Sequence, residues 1–302
     1  MPQAAVSPTP APEILPLLGL DHIEFYVGNA RQAAHFYRSA LGMELVAYQG
    51  PETGIHDRAS YVVSRGKIRF VLTAALRPNH PIADHVYRYG DGVRSIALAV
   101  PDAKAAFFEV RQRGARIVQD PLELRDEYGT VRTFALAACG ETIHTLVERD
   151  QYNGIFLPGF TPTTVPDRMA YVSGIDRVHQ VTFSTCIGGS GGCLQAYETL
   201  LSFTHSGGGR LQRYTPGGES IQFCIEEKSD SLDFLGGAGV SQIALATGDL
   251  AGTVSTMLSH GVDFHQTGFG ADMSEVFVVT KPVEDRPTLS FLIIEQKPAS
   301  SR

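Results

Sequence analysis

The feature that most constrains this chain is an internal repeat. Residues 92–115, GVRSIALAVPDAKAAFFEVRQRGA, align without a gap to residues 239–262, GVSQIALATGDLAGTVSTMLSHGV. Each copy runs from an apolar strand to an Asp at a helix start (Asp102, Asp249), through a helical stretch, to a Gly and the start of a second strand. Two weaker matches keep the same order: GLDHI from Gly19 with GIDRV from Gly174, and TIHTLVE from Thr142 with LSFLIIE from Leu289. The offset of about 150 residues is far longer than a solenoid period, so the sequence predicts two similar domains and not an array. A chain of 302 residues accommodates two such units.

Within the first copy, helical spacing of Ala33, Phe36, Tyr37 and Ala40 predicts a helix over 30–41 after a strand at 20–27. Strands follow near 44–50, 59–65 and 67–73, the last from the alternation of Ile68, Phe70 and Leu72. A second strand–helix unit covers 94–113, with later strands near 116–119, 131–138 and 142–148. The first domain is thus two βαβββ modules, and the class is α+β. The Ala/Val/Phe stripe at 103–110 reads as helix packing. The boundaries expected are a proline-rich arm over 1–18, a first domain over 19–152, a Pro/Thr/Gly-rich linker over 153–172 and a second domain over 173–298.

Composition removes several classes. The net charge of −7 argues against a general nucleic-acid binder. No apolar run approaches the roughly 18 residues that span a bilayer, so no membrane partner is expected. Four cysteines (Cys139, Cys186, Cys193, Cys224) are too few and scattered for a disulfide framework, which points to a reducing, cytoplasmic setting. Gly188–Gly192, between Cys186 and Cys193, lacks a P-loop lysine and C-x-x-C spacing and reads as a flexible loop. His56, His80, His85 and His205 fall in loop-like sequence and read as solvated.

DHIEFYVGNARQAAHFYRSALGMELVAY (21–48), KIRFVLTAAL (67–76), YGDGVRSIALAV (89–100) and IHTLVERDQYNGIFLPGF (143–160) resemble the 4-hydroxyphenylpyruvate dioxygenase and hydroxymandelate synthase family. That family lies within the vicinal oxygen chelate superfamily. The resemblance is specific over about 19–160 and looser over 174–297. It implies two tandem domains, each of paired βαβββ modules forming an open barrel, and Fe(II) held in the second by two His and one Glu.

Carried across by local motif, those ligand positions are Arg177 in GIDRVHQVTF, Gln242 in GVSQIALAT and Leu292 in TLSFLIIEQK. None keeps its family ligand. Compared with the family, Thr267–Arg286 is short and without Tyr, and only Pro298–Arg302 stands where a gating helix is expected. Two family amide positions correspond to Glu226 and Asp230. Glu295 lies three residues beyond Leu292, faces the other way and aligns with Glu148. In the first domain His22 and Glu24 resemble a residual metal pair, but Ser95 and Thr145 are poor ligands beside them, and a structural role is expected.

The expected protein is therefore metal-independent, with no cofactor, acting on a small keto-acid-like or aromatic molecule. Acid/base chemistry is the expected route: isomerisation, cyclisation or elimination. Arg177 would meet a carboxylate, with a salt bridge to Glu226 or Asp176 as its structural alternative. Gln242 and Asp230 would bind substrate, and His179 or Glu226 would move a proton. Alternatives are a non-catalytic small-molecule binder, a site improvised from His179, Glu226 and Gln242, or an Fe(II)-dependent dioxygenase. The resemblance also implies specialised (secondary) metabolism and a homo-oligomer.

Overall fold

The computed structural model describes residues 15–163, 171–208, 211–216, 221–228, 238–269, 275–282 and 289–296. The first half opens with β1 (Gly19–Tyr26), α1 (Ala30–Leu41), β2 (Glu44–Gln49), β3 (Arg58–Arg65) and β4 (Ile68–Ala75). A short helix, α2 (Pro81–Tyr89), leads to β5 (Gly92–Ala99), α3 (Ala103–Gln112), β6 (Ile117–Asp126), β7 (Gly129–Ala137) and β8 (Ile143–Glu148). The two-residue β9 (Thr161–Pro162) closes that half. The second half holds β10 (Ile175–Cys186), α4 (Gly191–Gln195) running into a single π-turn, β11 (Thr204–Gly208), β12 (Leu211–Thr215) and β13 (Gln222–Lys228). It continues with β14 (Gly239–Thr247), α5 (Leu250–Ser259), β15 (Phe264–Phe269), β16 (Glu275–Thr280) and β17 (Ser290–Gln296).

Each half forms one curled sheet with the same plan. The strand orders are β6-β7-β8-β5-β1-β4-β3-β2-β9 and β11-β12-β13-β10-β14-β17-β16-β15. Two modules meet through an antiparallel pair of first strands, β1 with β5 and β10 with β14. Within each module the first and last strands run parallel, as β1 does with β4 and β14 with β17. This is the paired βαβββ architecture, in an α+β fold.

The repeat is also visible in how helices begin. Asp102 accepts a hydrogen bond from the Ala105 amide, and Asp249 from the Gly252 amide, each closing an open helix N-terminus. Glu148 accepts from the Ala103 amide and Glu295 from the Leu250 amide, both at 2.8 Å. The last strand of the second module in each half thus places a carboxylate at the positive end of its helix. Glu295 does face away from the position of Leu292, and this cap is its role.

The helix-bearing faces of both sheets share one hydrophobic core, in which Phe291 lies against Tyr37 and Phe70 at 5.9 and 6.2 Å between ring centres. The stripe of α3 packs there through Ala103, Ala106, Phe107 and Val110. Fully buried His144 donates from Nδ1 to the Ile96 carbonyl, and its Nε2 accepts from Tyr197 Oη across the two halves, both at 3.1 Å. Burial lowers its pKa to about 4, so it stays neutral as this pairing requires. At the seam, Gly66 has φ +55°, and a Cβ there would sit 2.4 Å from the Asp176 carbonyl oxygen. The opposite faces of the sheets carry separate, smaller apolar clusters.

Four expectations change. Cys139 and Cys193 form a disulfide that joins the two halves, with Cα atoms 4.7 Å apart; their sequence separation of 54 hid a pair that only tertiary packing makes. The segment after Gly188 is not a plain loop: α4 begins at Gly191 and brings Cys193 to that bond. His80 and His85 are not solvated loop residues. His80 caps α2 by accepting from the Ile82 amide at 3.2 Å, with Pro81 at the first helical position. His85 lies between Tyr26 and Tyr89, and burial lowers its pKa to about 4. β6 also runs on to Asp126, because its mostly exposed residues carry no apolar alternation to mark it.

Candidate functional site

The candidate site lies on the concave face of the second sheet, and the strand register decides which residues share that face. Arg177 pairs with Ala246, Gln180 with Ala244 and Thr182 with Gln242, while Gln242 pairs with Ser290 and Ala244 with Leu292. Directly paired residues project to the same side. Register shifts in β10 at Ile175/Arg177 and Val178/Gln180 make His179 an extra residue against β14. A bulge of this kind re-aims a side chain. His179 reaches Glu275 on β16, three strands away from β10 in the sheet order.

Arg177 is half-buried. Its Nη1 donates to Asp176 at 3.1 and 3.2 Å, and its Nη2 donates to Gln296 Oε1 at 3.0 Å. Of the two partners expected for it, the structure places Asp176. Glu226 sits elsewhere: it pairs with Ser184 in the ladder, beside Lys228 at 3.3 Å. Ser184 lies seven positions beyond Arg177 on β10, roughly 20 Å along an extended strand. Glu226 therefore does not converge with Arg177 and His179. Asp230 lies outside the described residues. Gln242 donates from Nε2 to Ser290 Oγ at 3.4 Å, at the far side of an apolar patch.

His179 is 2% exposed, and its Nε2 lies 3.0 Å from Glu275 Oε1. The approach is off the line of the ring N–H, so neither ring nitrogen makes a well-directed hydrogen bond. Burial, the largest influence, and the nearby Arg177 charge lower the His179 pKa, against the opposing pull of Glu275. A neutral imidazole beside Glu275 results; its protonated form is disfavoured by burial and favoured only by that neighbouring carboxylate. Sequence reasoning missed Glu275. Its only signal was its position at the start of the alternating strand EVFVVT, whose place across the barrel is not local information.

Leu292 is 7% exposed, in a cluster with Ala244, Ala246, Val279 and Ile294 and with Phe277 packed against it. Hydrocarbon fills this position. Among the described residues no group of three His, Cys, Asp or Glu side chains could hold a metal ion. At the positions that the family resemblance assigns to iron, the side chains are a guanidinium, an amide and an alkyl group. A unit positive charge about 4 Å from a divalent cation costs roughly 8 kcal/mol at an effective dielectric of 20. These residues do not fit Fe(II).

Two curled sheets of paired βαβββ modules define a class, and comparison with known proteins agrees. Residues 19–149 match the Glyoxalase/Bleomycin resistance protein/Dioxygenase superfamily. The chain is 31% identical to 4-hydroxyphenylpyruvate dioxygenase of Caenorhabditis briggsae, over 95% of this chain and 88% of that protein. It is 33% identical to the Dictyostelium discoideum protein of the same name, over 82% of this chain and 74% of that one. A mutant of 4-hydroxymandelate synthase from Streptomyces coelicolor shares the fold, with a TM-score of 0.79 at 21% identity and 95% coverage of each chain. The chain belongs to the 4-hydroxyphenylpyruvate dioxygenase family. No described helix is long and apolar enough to cross a membrane.

Proposed function

We propose that this family member works without a metal, on a small keto-acid-like or aromatic molecule, by transferring protons. The observation that carries the reading is the side-chain set at the iron positions: Arg177 with its charge half-exposed, and Leu292 sealed in hydrocarbon. Arg177 offers a planar, two-pronged donor for a substrate carboxylate, held in place by Asp176 and Gln296. Glu275, the partly exposed member of the pair, takes the proton from the carbon beside the keto group and relays it to His179 Nε2, 3.0 Å away. The C–H electron pair forms the C=C bond as the carbonyl π pair moves to oxygen. Glu275 balances the imidazolium that forms. Return of the proton to oxygen or to another carbon completes an isomerisation, and loss of a leaving group completes an elimination. We take specialised metabolism as the setting of this activity, a reading that follows the divergence of the side-chain set from the family pattern.

The test uses phenylpyruvate in D2O with a strong chelator, following by NMR the exchange of the methylene protons next to the keto group. Exchange above the buffer rate is expected, with a loss of about 100-fold in His179→Gln and a weaker apparent affinity in Arg177→Met. Exchange no faster than buffer overturns the proposal. Binding without exchange does so too and favours a carrier role.

A further inference from the structure

We propose that the half-barrel of the first domain is a second small-molecule site, built for an uncharged hydroxylated arene. A cavity of ≈290 Å³ opens on its concave face, at the lower end of the range for small-molecule pockets. Its floor carries His22 and Glu24, two residues apart on β1 and so on the same face of the sheet. Phe156, Leu157 and Phe160, from the segment after β8, line it from the other side, and β9 pins that segment to β2.

The polar floor is held in one arrangement. Burial alone would raise the Asp21 carboxyl. The hydrogen bond and charge of His22, with the charges of Arg149 and Arg69, outweigh it and hold the pKa at about 2. Asp21 is therefore a carboxylate, and His22 Nδ1, 2.6 Å away, donates to it. That fixes a proton on Nδ1 and leaves Nε2 to meet a ligand in the cavity. Nε2 makes no hydrogen bond among the described residues and is not sealed from the cavity. Arg149 donates from Nη2 to Asp21 and from Nη1 to the Phe156 carbonyl, both at 2.6 Å. It ties the His22 pair to the segment over the cavity. Glu24 accepts from Thr73 Oγ1 at 2.8 Å, and Thr73 in turn accepts from Ser60 at 2.9 Å.

The ligand class follows from these groups. Two polar groups, the imidazole Nε2 and the Glu24 carboxylate, call for hydroxyls on the ligand. A hydroxyl can donate to the carboxylate and either donate to or accept from the ring nitrogen. The aromatic and aliphatic wall calls for a flat apolar body. The charges around the cavity cancel, Asp21, Glu24 and Asp57 against Arg58, Arg69 and Arg149, which selects for an uncharged molecule. A structural role alone would use His22 without leaving a ring nitrogen facing open space.

The experiment titrates the full-length protein with catechol and, separately, with 1,2-dimethoxybenzene, which keeps the ring and removes both donors. The histidine ring nitrogens are followed by 15N NMR, the His22 signal being identified by its loss in His22→Gln. Catechol is expected to shift the His22 Nε2 resonance saturably while 1,2-dimethoxybenzene does not. Glu24→Gln, which keeps the side-chain shape, is expected to weaken catechol binding by about tenfold or more. Equal binding of the two probes, an unchanged affinity in Glu24→Gln, or no shift at His22 overturns the proposal.

Discussion

Replacing Leu292 with Glu restores the residue type that the family places at this position, and the structure says what it costs. The new carboxyl enters the cluster of Ala244, Ala246, Val279 and Ile294, at a place only 7% exposed. Protonated, it leaves polar atoms unpaired, at about 1–3 kcal/mol. Ionised, it is a buried charge, and burial of this kind raises a carboxyl pKa by up to 3–5 units. A group whose folded-state pKa is raised loses stability as pH rises above its unfolded value, by about 1.4 kcal/mol per unit. The penalty is thus smallest below about pH 4.3 and grows by about 4 kcal/mol on reaching pH 7. The assay is urea unfolding of wild type and Leu292→Glu from pH 4 to pH 7, with and without Fe(II). A widening gap, unchanged by iron, is expected. A flat gap, or rescue by Fe(II), would refute the placement of this residue in a closed hydrocarbon cluster.

Three further outcomes are expected. Asp21→Asn should lose about 2 kcal/mol at neutral pH, by linkage from its lowered pKa. Because that pKa is depressed, the wild-type advantage holds above about pH 4 and fades as pH falls towards the folded pKa of about 2; melting temperatures across that range check it. Reducing the Cys139–Cys193 disulfide should destabilise the protein by up to about 4 kcal/mol on a chain-entropy estimate, read by denaturant unfolding with and without dithiothreitol. Glu295→Gln should cost about 1 kcal/mol by weakening the anionic partner of the Leu250 amide, with faster amide exchange in the first turn of α5.

Fold and site were legible to different depths in the sequence. The gapless repeat, with Asp102 and Asp249 at matching helix starts, carries the two-sheet plan because helix starts and strand alternation are local signals. The family motifs locate Arg177, Gln242 and Leu292 on the strands that bear the site. What they do not carry is convergence. His179 reaches Glu275 only through a bulge and the curl of the sheet, and Glu226 looks equivalent in sequence yet lies towards the other end of β10. Cys139 and Cys193 show the same limit, since their bond depends on how the halves pack. Asp21, His22 and Arg149 form one network from residues 128 positions apart, beyond the reach of any local pattern.

Chemistry at the second half-barrel is proposed to run without iron. The most direct measurement is metal content and oxygen uptake of the purified full-length protein, given 4-hydroxyphenylpyruvate with Fe(II) and ascorbate. Substoichiometric iron and oxygen uptake no greater than in the protein-free control are expected. Stoichiometric bound iron together with substrate-dependent oxygen consumption would contradict it.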